Sequence, residues 1–289
     1  MSTISIRPGK GQKFSACICE YNIDITAGGC SVATSPKTGE YVKGAACSYC
    51  YAGYLHRSYV KEKIVKESVW EKALDTMRIN VIRIGKNSEP GALPHREILK
   101  EVLRLNNKYN CKSILISKLL DFDSDIAELI KVHNSTIHFS LGNPANEVGP
   151  VKLWGSTNWT RTKFADDYRK TGADVWVRPT EDIALPMPNY ISDPLNKYPK
   201  LNVLITPLRY RKKAIFPADW DAVRSGLDSR YYYDIEEKAI APMVVHDDWK
   251  PYINNTCGKV KDKMLCNLCG LKNIQINSRR KKELYNLGK

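Results

Sequence analysis

Three cysteines constrain this chain more than any other feature. Cys30 follows Gly28-Gly29, and Cys47 and Cys50 form a C-x-x-C pair around Ser48 and Tyr49. They sit on a loop between a short strand-like run and a longer helix-like one. Three thiolates can ligate three irons of a 4Fe-4S cluster and leave the fourth iron open, whereas a structural zinc normally takes four closed ligands. An open iron implies chemistry.

The redox compartment decides how cysteines are to be read. Met1 to Phe14 is polar and basic without the apolar centre of a signal peptide, and no run approaches the roughly 20 apolar residues of a membrane span. A cytoplasmic protein with no membrane partner is therefore expected. In that reducing setting disulfides are disfavoured, and metal ligation is the leading account of clustered cysteines. Of the nine, Cys17 and Cys19 lie two apart, Cys30, Cys47 and Cys50 share the loop, and Cys257, Cys266 and Cys269 lie near the C-terminus. Cys111 stands alone and reads as a small core residue.

At 289 residues, with 43% hydrophobic and 26% charged residues, the chain can bury a substantial core, which excludes global disorder. A net charge of +14 attracts polyanions, so nucleic acid or a nucleotide becomes a candidate partner. A lysine-rich composition serving solubility gives the same number. Part of the charge is local, in Arg209, Arg211, Lys212 and Lys213 and in Arg279, Arg280, Lys281 and Lys282.

Along the chain, Phe14 to Ile25 reads as a strand, on which Cys17 and Cys19 would face one side, as core or beside the cluster. Ser31 to Ala46, with Pro36, Gly39 and Gly44, is an excursion separating Cys30 from the C-x-x-C pair. Helices are expected over Lys61–Ile79, Pro94–Tyr109, Asp125–His133 and Trp159–Gly172. Strands are expected over Val81–Gly85, Ser113–Ser117, Thr136–Leu141, Asp174–Arg178 and Asn202–Thr206. Six strands alternating with connections of adequate length predict a parallel α/β sheet, a partial (β/α)6 barrel or a flat doubly wound sheet having the same rhythm. In both, ligands gather at the C-terminal strand ends. Polar residues concentrate there: Gly85 to Gly91, Ser117-Lys118, Ser140 and Asn143, Arg178 to Glu181, and Thr206 and Arg209.

Strand, cysteine loop, helix, and then a strand ending in Gly85-Lys86-Asn87-Ser88-Glu89-Pro90 resembles the radical S-adenosylmethionine (SAM) superfamily over about residues 14 to 210. The C-Y-A ending at Cys50 is similar to spore photoproduct lyase-like proteins and uncharacterised phage-encoded relatives. Two departures are visible: position 43, where the usual first cysteine would fall, is Lys43, and the glycine doublet of the Gly-Gly-Glu-Pro motif is broken. The resemblance implies a partial barrel whose 4Fe-4S cluster, on Cys30, Cys47 and Cys50, reductively cleaves SAM to a 5′-deoxyadenosyl radical that takes hydrogen from an unidentified substrate. It further implies a flavodoxin- or ferredoxin-type electron donor, Tyr49 near the adenine, Gly85, Ser88, Glu89 and Pro90 at the SAM amino group, and Ser117, Lys118 and Arg178 at its ribose and carboxylate.

The C-terminal cysteines follow a C-x8-C-x2-C pattern. They suit a second iron-sulfur cluster, or a zinc knuckle completed by Cys17, Cys19 or His246. Alternatively, Cys47, Cys50, Cys266 and Cys269 form one structural zinc site joining the chain's ends. These readings divide the chain into a tail at 1–13, a barrel at 14–215 with its cluster loop at 28–52, and an extension at 216–289. Tyr231-Tyr232-Tyr233, Trp220 and Trp249 fill a small lobe or stack on bases. His56 and His138 read as lone histidines, and no Ser-His-Asp, H-E-x-x-H or phosphate-cradling glycine loop is visible. The alternative to an enzyme is a zinc- or cluster-stabilised nucleic-acid-binding protein without catalysis.

Overall fold

The computed structural model describes residues 2–8, 21–47, 60–76, 81–85, 88–181, 185–207, 246–255, 258–260 and 263–265. In chain order the first elements are β1 (Arg7–Pro8), β2 (Tyr21–Ile23), β3 (Thr26–Ala27), β4 (Lys61–Glu62), α1 (Ser68–Thr76) and β5 (Val81–Ile84). They are followed by α2 (Arg96–Lys108), β6 (Lys112–Ser117), α3 (Ser124–Val132), β7 (Thr136–Leu141), α4 (Asn158–Lys170) and β8 (Asp174–Glu181). The remainder are α5 (Asn189–Lys197), β9 (Asn202–Val203), β10 (Thr206–Pro207), β11 (Gly258–Val260) and β12 (Lys263–Leu265).

Strands β2, β5, β6, β7 and β8 are parallel neighbours in sequence order, and β9 and β10 both pair with the far edge of β8. That order never reverses, whereas a doubly wound sheet needs a reversal to place helices on both faces. With right-handed crossovers every helix falls on one face, and the sheet curves into an open barrel. The packing agrees. Ile82, Ile84, Leu115, Ile137, Phe139, Val175 and Val177 share one apolar core with Trp70 of α1, Leu99 and Leu103 of α2, Ile126 and Ile130 of α3, Tyr168 of α4 and Ile191 of α5. Residues of the opposite parity, among them Asn22, Arg83, Ile114, Thr136, His138, Trp176 and Arg178, lie on the lumen face.

The main strands and helices fall where periodicity predicts them, with ends moved by a few residues. Three expectations change. Lys61 to Lys66 is extended rather than helical, because its backbone is claimed by other strands: β4 pairs antiparallel with β3, Ile64 N–H donates to Ser2 O at 2.9 Å, and Ile4 N–H donates to Ile64 O at 2.9 Å. The helix begins only at Ser68, and pairing overrides the apolar spacing. The same pairings draw in the expected tail, since Ile4 and Ile6 are buried in the core and β1 pairs with β2. At the other end, Trp249 of the expected extension is fully buried in the core and donates from Nε1 to Leu185 O at 2.9 Å.

Helix α5 was not anticipated, because Pro194 inside it looks like a breaker. Residues 9–20 with Cys17 and Cys19 lie outside the described residues, as do His56, Trp220, Tyr231 to Tyr233 and both basic clusters. Among the described residues no helix is long and apolar enough to cross a membrane.

Candidate functional site

The cysteine loop leaves the C-terminal end of β2 and folds back on itself. A short turn at Ser31–Ala33 follows Cys30, Thr34 bridges to Tyr41, and Val42 N–H donates to Ala33 O at 2.8 Å. This return places Val32, Ala33, Ala45 and Cys47 in one small buried cluster, against which Cys30, Leu119 and Leu153 pack. Leu119 follows β6, and Leu153 closes a wide π-type turn at Gly149–Leu153. Gly149 N–H donates to Ala45 O at 2.8 Å, and a Cβ at that position would overlap the carbonyl oxygens of Val32 and Ala45. The loop is therefore seated on the barrel mouth by a contact only glycine permits. Tyr49, Cys50, Cys257, Cys266 and Cys269 lie outside the described residues, and among the described residues no three His, Cys, Asp or Glu side chains form a metal-ligating group.

Beyond β5 the chain turns at Gly85, whose φ of +87° favours glycine. A Cβ there would stand 2.7 Å from Pro90 and 2.9 Å from Ile116 O. Buried Ser88 donates to Asp24 Oδ1 at 3.2 Å, tying the turn to the end of β2. Glu89 is 4% exposed and fully engaged: Oε1 accepts from Gly91 N–H at 3.1 Å and from the Ser117 hydroxyl, and Oε2 accepts from Lys118 N–H at 2.8 Å. Ser117 Oγ in turn accepts from the backbone of Leu119 and Leu120. Glu89 thus braces the ends of β5 and β6 together, and its oxygens meet this chain's own donors.

Burial pushes the Glu89 carboxyl above its ordinary value, against donors from Ser117, Lys118, Gly91 and Leu119. A carboxyl raised in the folded state adds stability that is complete below its unfolded pKa and is lost as pH rises through the folded value. Glu89→Gln cannot titrate. The stability of wild type minus that of the variant, from urea midpoints, should fall as pH rises above 4.5; parallel profiles would contradict it. Gly91 has no room for a side chain either, since a Cβ would overlap Ser117 Oγ and stand 2.7 Å from Leu120 N. Gly91→Ala should destabilise by about 1–3 kcal/mol, visible as a lowered urea midpoint at unchanged m.

Lys118 is also committed internally. Its Nζ pairs with Glu147 Oε1, while Arg161 Nη1 donates to Glu147 Oε2 at 2.6 Å. Arg161 and Glu147 are each 1% exposed. Arg161 further donates to Ser140 O at 2.9 Å, Ser156 O at 2.8 Å and Ser156 Oγ at 2.9 Å, knitting the end of β7 to the start of α4. The expected ribose or carboxylate contact from Lys118 would have to break this pair. Arg178 lies half-buried on the lumen face and donates to Thr206 Oγ1 on the neighbouring strand β10.

One further constellation is formed by the fold alone. Ser31 Oγ lies 2.7 Å from His95 Nε2, and His95 Nδ1 lies 3.0 Å from Glu62 Oε1. Ser31 is 1% exposed, so no substrate reaches it, and the chain of contacts fastens the turn after Cys30 to the start of α2. Neither this trio nor Glu147 and Arg161 carried a signal in the sequence, because their partners are far apart along the chain.

No protein-family profile and no curated protein matches the chain. Solved structures do. Two variants of spore photoproduct lyase superpose with TM-scores of 0.51 and 0.50 at 12% and 13% identity, each covering 88% of this chain and 75% and 74% of that one. The chain shares the fold of spore photoproduct lyase. A slighter likeness, TM-score 0.45 at 11% identity, relates it to Streptococcus suis SuiB bound to precursor peptide SuiA, covering 92% of this chain and 63% of that one. Six parallel strands form the partial barrel, and the cysteine loop follows the first of them.

Proposed function

We propose that this protein is an iron-sulfur enzyme of the radical SAM type. The observation that carries the reading is the return of Cys47 to Cys30, within one apolar cluster at the C-terminal mouth of an open six-stranded barrel. Two thiols so placed, with Cys50 three residues on, fit a cluster held by Cys30, Cys47 and Cys50 better than a closed zinc site. Bound there, a 4Fe-4S cluster supplies the electron for reductive cleavage of SAM. The chain's own share is positioning and exclusion of water.

In this reading Glu89 serves SAM through the turn it braces. Ser117 holds that turn, Lys118 sets the rim through Glu147, and Arg178 brings a cation to the lumen face for a carboxylate. The His95 contact keeps Cys30 facing the mouth. The substrate would lie against the polar lumen face. The net charge of +14 favours a nucleic acid or nucleotide, and reduction would come from a flavodoxin- or ferredoxin-type donor. Cys257, Cys266 and Cys269 would hold a second cluster or a zinc.

The test is metal content. Protein reconstituted without oxygen in iron and sulfide should show thiolate-to-iron charge-transfer absorbance that shifts when SAM is added. Stoichiometric zinc with no iron uptake would reject the reading.

A further inference from the structure

We propose that the lower lumen is a binding site for a neutral planar group presenting an N–H donor and a carbonyl acceptor side by side, the edge shared by nucleobases and carboxamides. This inference deepens the proposed function, resting on the reading of the lumen as the substrate chamber. It begins with Asn22. Its neighbour Ile23 packs in the helix-facing core, so Asn22, 5% exposed, faces the lumen. Neither its Oδ1 nor its Nδ2 has a hydrogen-bond partner among the described residues. Thr136, fully buried on the same face, likewise has no partner for Oγ1 among them.

Register places both on one layer: Asn22 lies beside Arg83, Arg83 beside Ile114, Ile114 beside Thr136, and Thr136 beside Asp174. A buried amide or hydroxyl left unmade costs stability, so two on one layer call for a ligand or water. Packing does not explain them, since a filled barrel interior is lined by bulky apolar side chains. The layer carries one cation and one carboxylate, which matches a neutral ligand rather than an ion. An asparagine amide offers one donor and one acceptor in a plane, the complement of an amide or imide edge. Trp176, two residues on from Asp174 and bonded to it from Nε1 at 3.1 Å, adds a fixed aromatic side chain to the same face.

The whole chain is titrated with uridine for the nucleobase source and with an N-acetyl amino acid amide for the carboxamide source, and SAM affinity is followed alongside. Wild type should bind one of the two, and the arm that responds identifies the source. Asn22→Leu and Thr136→Val should keep or raise Tm, leave SAM affinity unchanged, and weaken that ligand about tenfold or more. Should Asn22→Leu fail to fold, Thr136→Val, nearly identical in shape, decides alone. Wild type binding neither probe, variants binding as wild type does, or variants losing SAM affinity together with Tm would overturn the proposal, the first two outcomes leaving an ordered water only. Failure of SAM to bind wild type would count against the radical SAM reading and leave the uridine or amide result standing.

Discussion

Cys47→Ala should leave a folded protein that no longer assembles the cluster of Cys30, Cys47 and Cys50. The side chain lies in a small satellite group of Val32, Ala33 and Ala45, apart from the main core, so removing one sulfur costs little stability. It removes a ligand outright. Iron per chain after reconstitution should fall by the content of that one cluster, and SAM-dependent absorbance changes should vanish with it. Cys111→Ala is the matched control. Burial pushes the Cys111 thiol up to about 11, which keeps it protonated and a poor metal ligand, and it sits in the main core. Its loss should leave iron content unchanged; equal iron in both variants would remove Cys47 from the ligand set.

Arg161→Ala should be among the most destabilising single changes in the chain. It takes the Arg161 cation from the buried Glu147 carboxylate and removes its donors from the carbonyls of Ser140 and Ser156. Breaking a buried ion pair by removing one partner costs about 3–5 kcal/mol, because an uncompensated charge stays inside. A urea midpoint shifted by that much at constant m is the expected result. Replacing both partners, as Arg161→Met with Glu147→Leu, should recover part of the loss, since two apolar groups leave less charge uncompensated. A single-variant loss below about 1 kcal/mol would place the pair among weak surface ion pairs.

How legible the fold was in the sequence depended on whether side chains or backbone carried the information. Ser113 to Ser117 announces itself by its unbroken Ile-Leu-Ile run, and Thr136 to Leu141 by the alternation of Ile137, Phe139 and Leu141 with Thr136, His138 and Ser140. The cysteine loop was visible for its chemistry. Barrel or flat sheet was undecidable from rhythm, because strand order is a matter of pairing, and only the unreversed order of β2 through β8 decides it. Lys61 to Lys66 misled for the same reason, its extended shape being imposed by the backbones of residues 2–4 and 25–27. Nothing in the sequence marks Arg161 as buried; its burial depends on acceptors from Ser140, Glu147 and Ser156 that only the folded chain brings together. Glu89 stands out in the sequence only through the Glu-Pro of the turn after the second parallel strand, and its engagement by Ser117, Lys118 and Gly91 is visible only in three dimensions.

The most direct measurement is the product of SAM after reduction. Protein carrying its reconstituted cluster, mixed with SAM and dithionite under argon and analysed by mass spectrometry, should release 5′-deoxyadenosine, and Cys47→Ala treated identically should release none. Intact SAM in the wild-type sample, with the cluster present and reduced, would contradict the assignment.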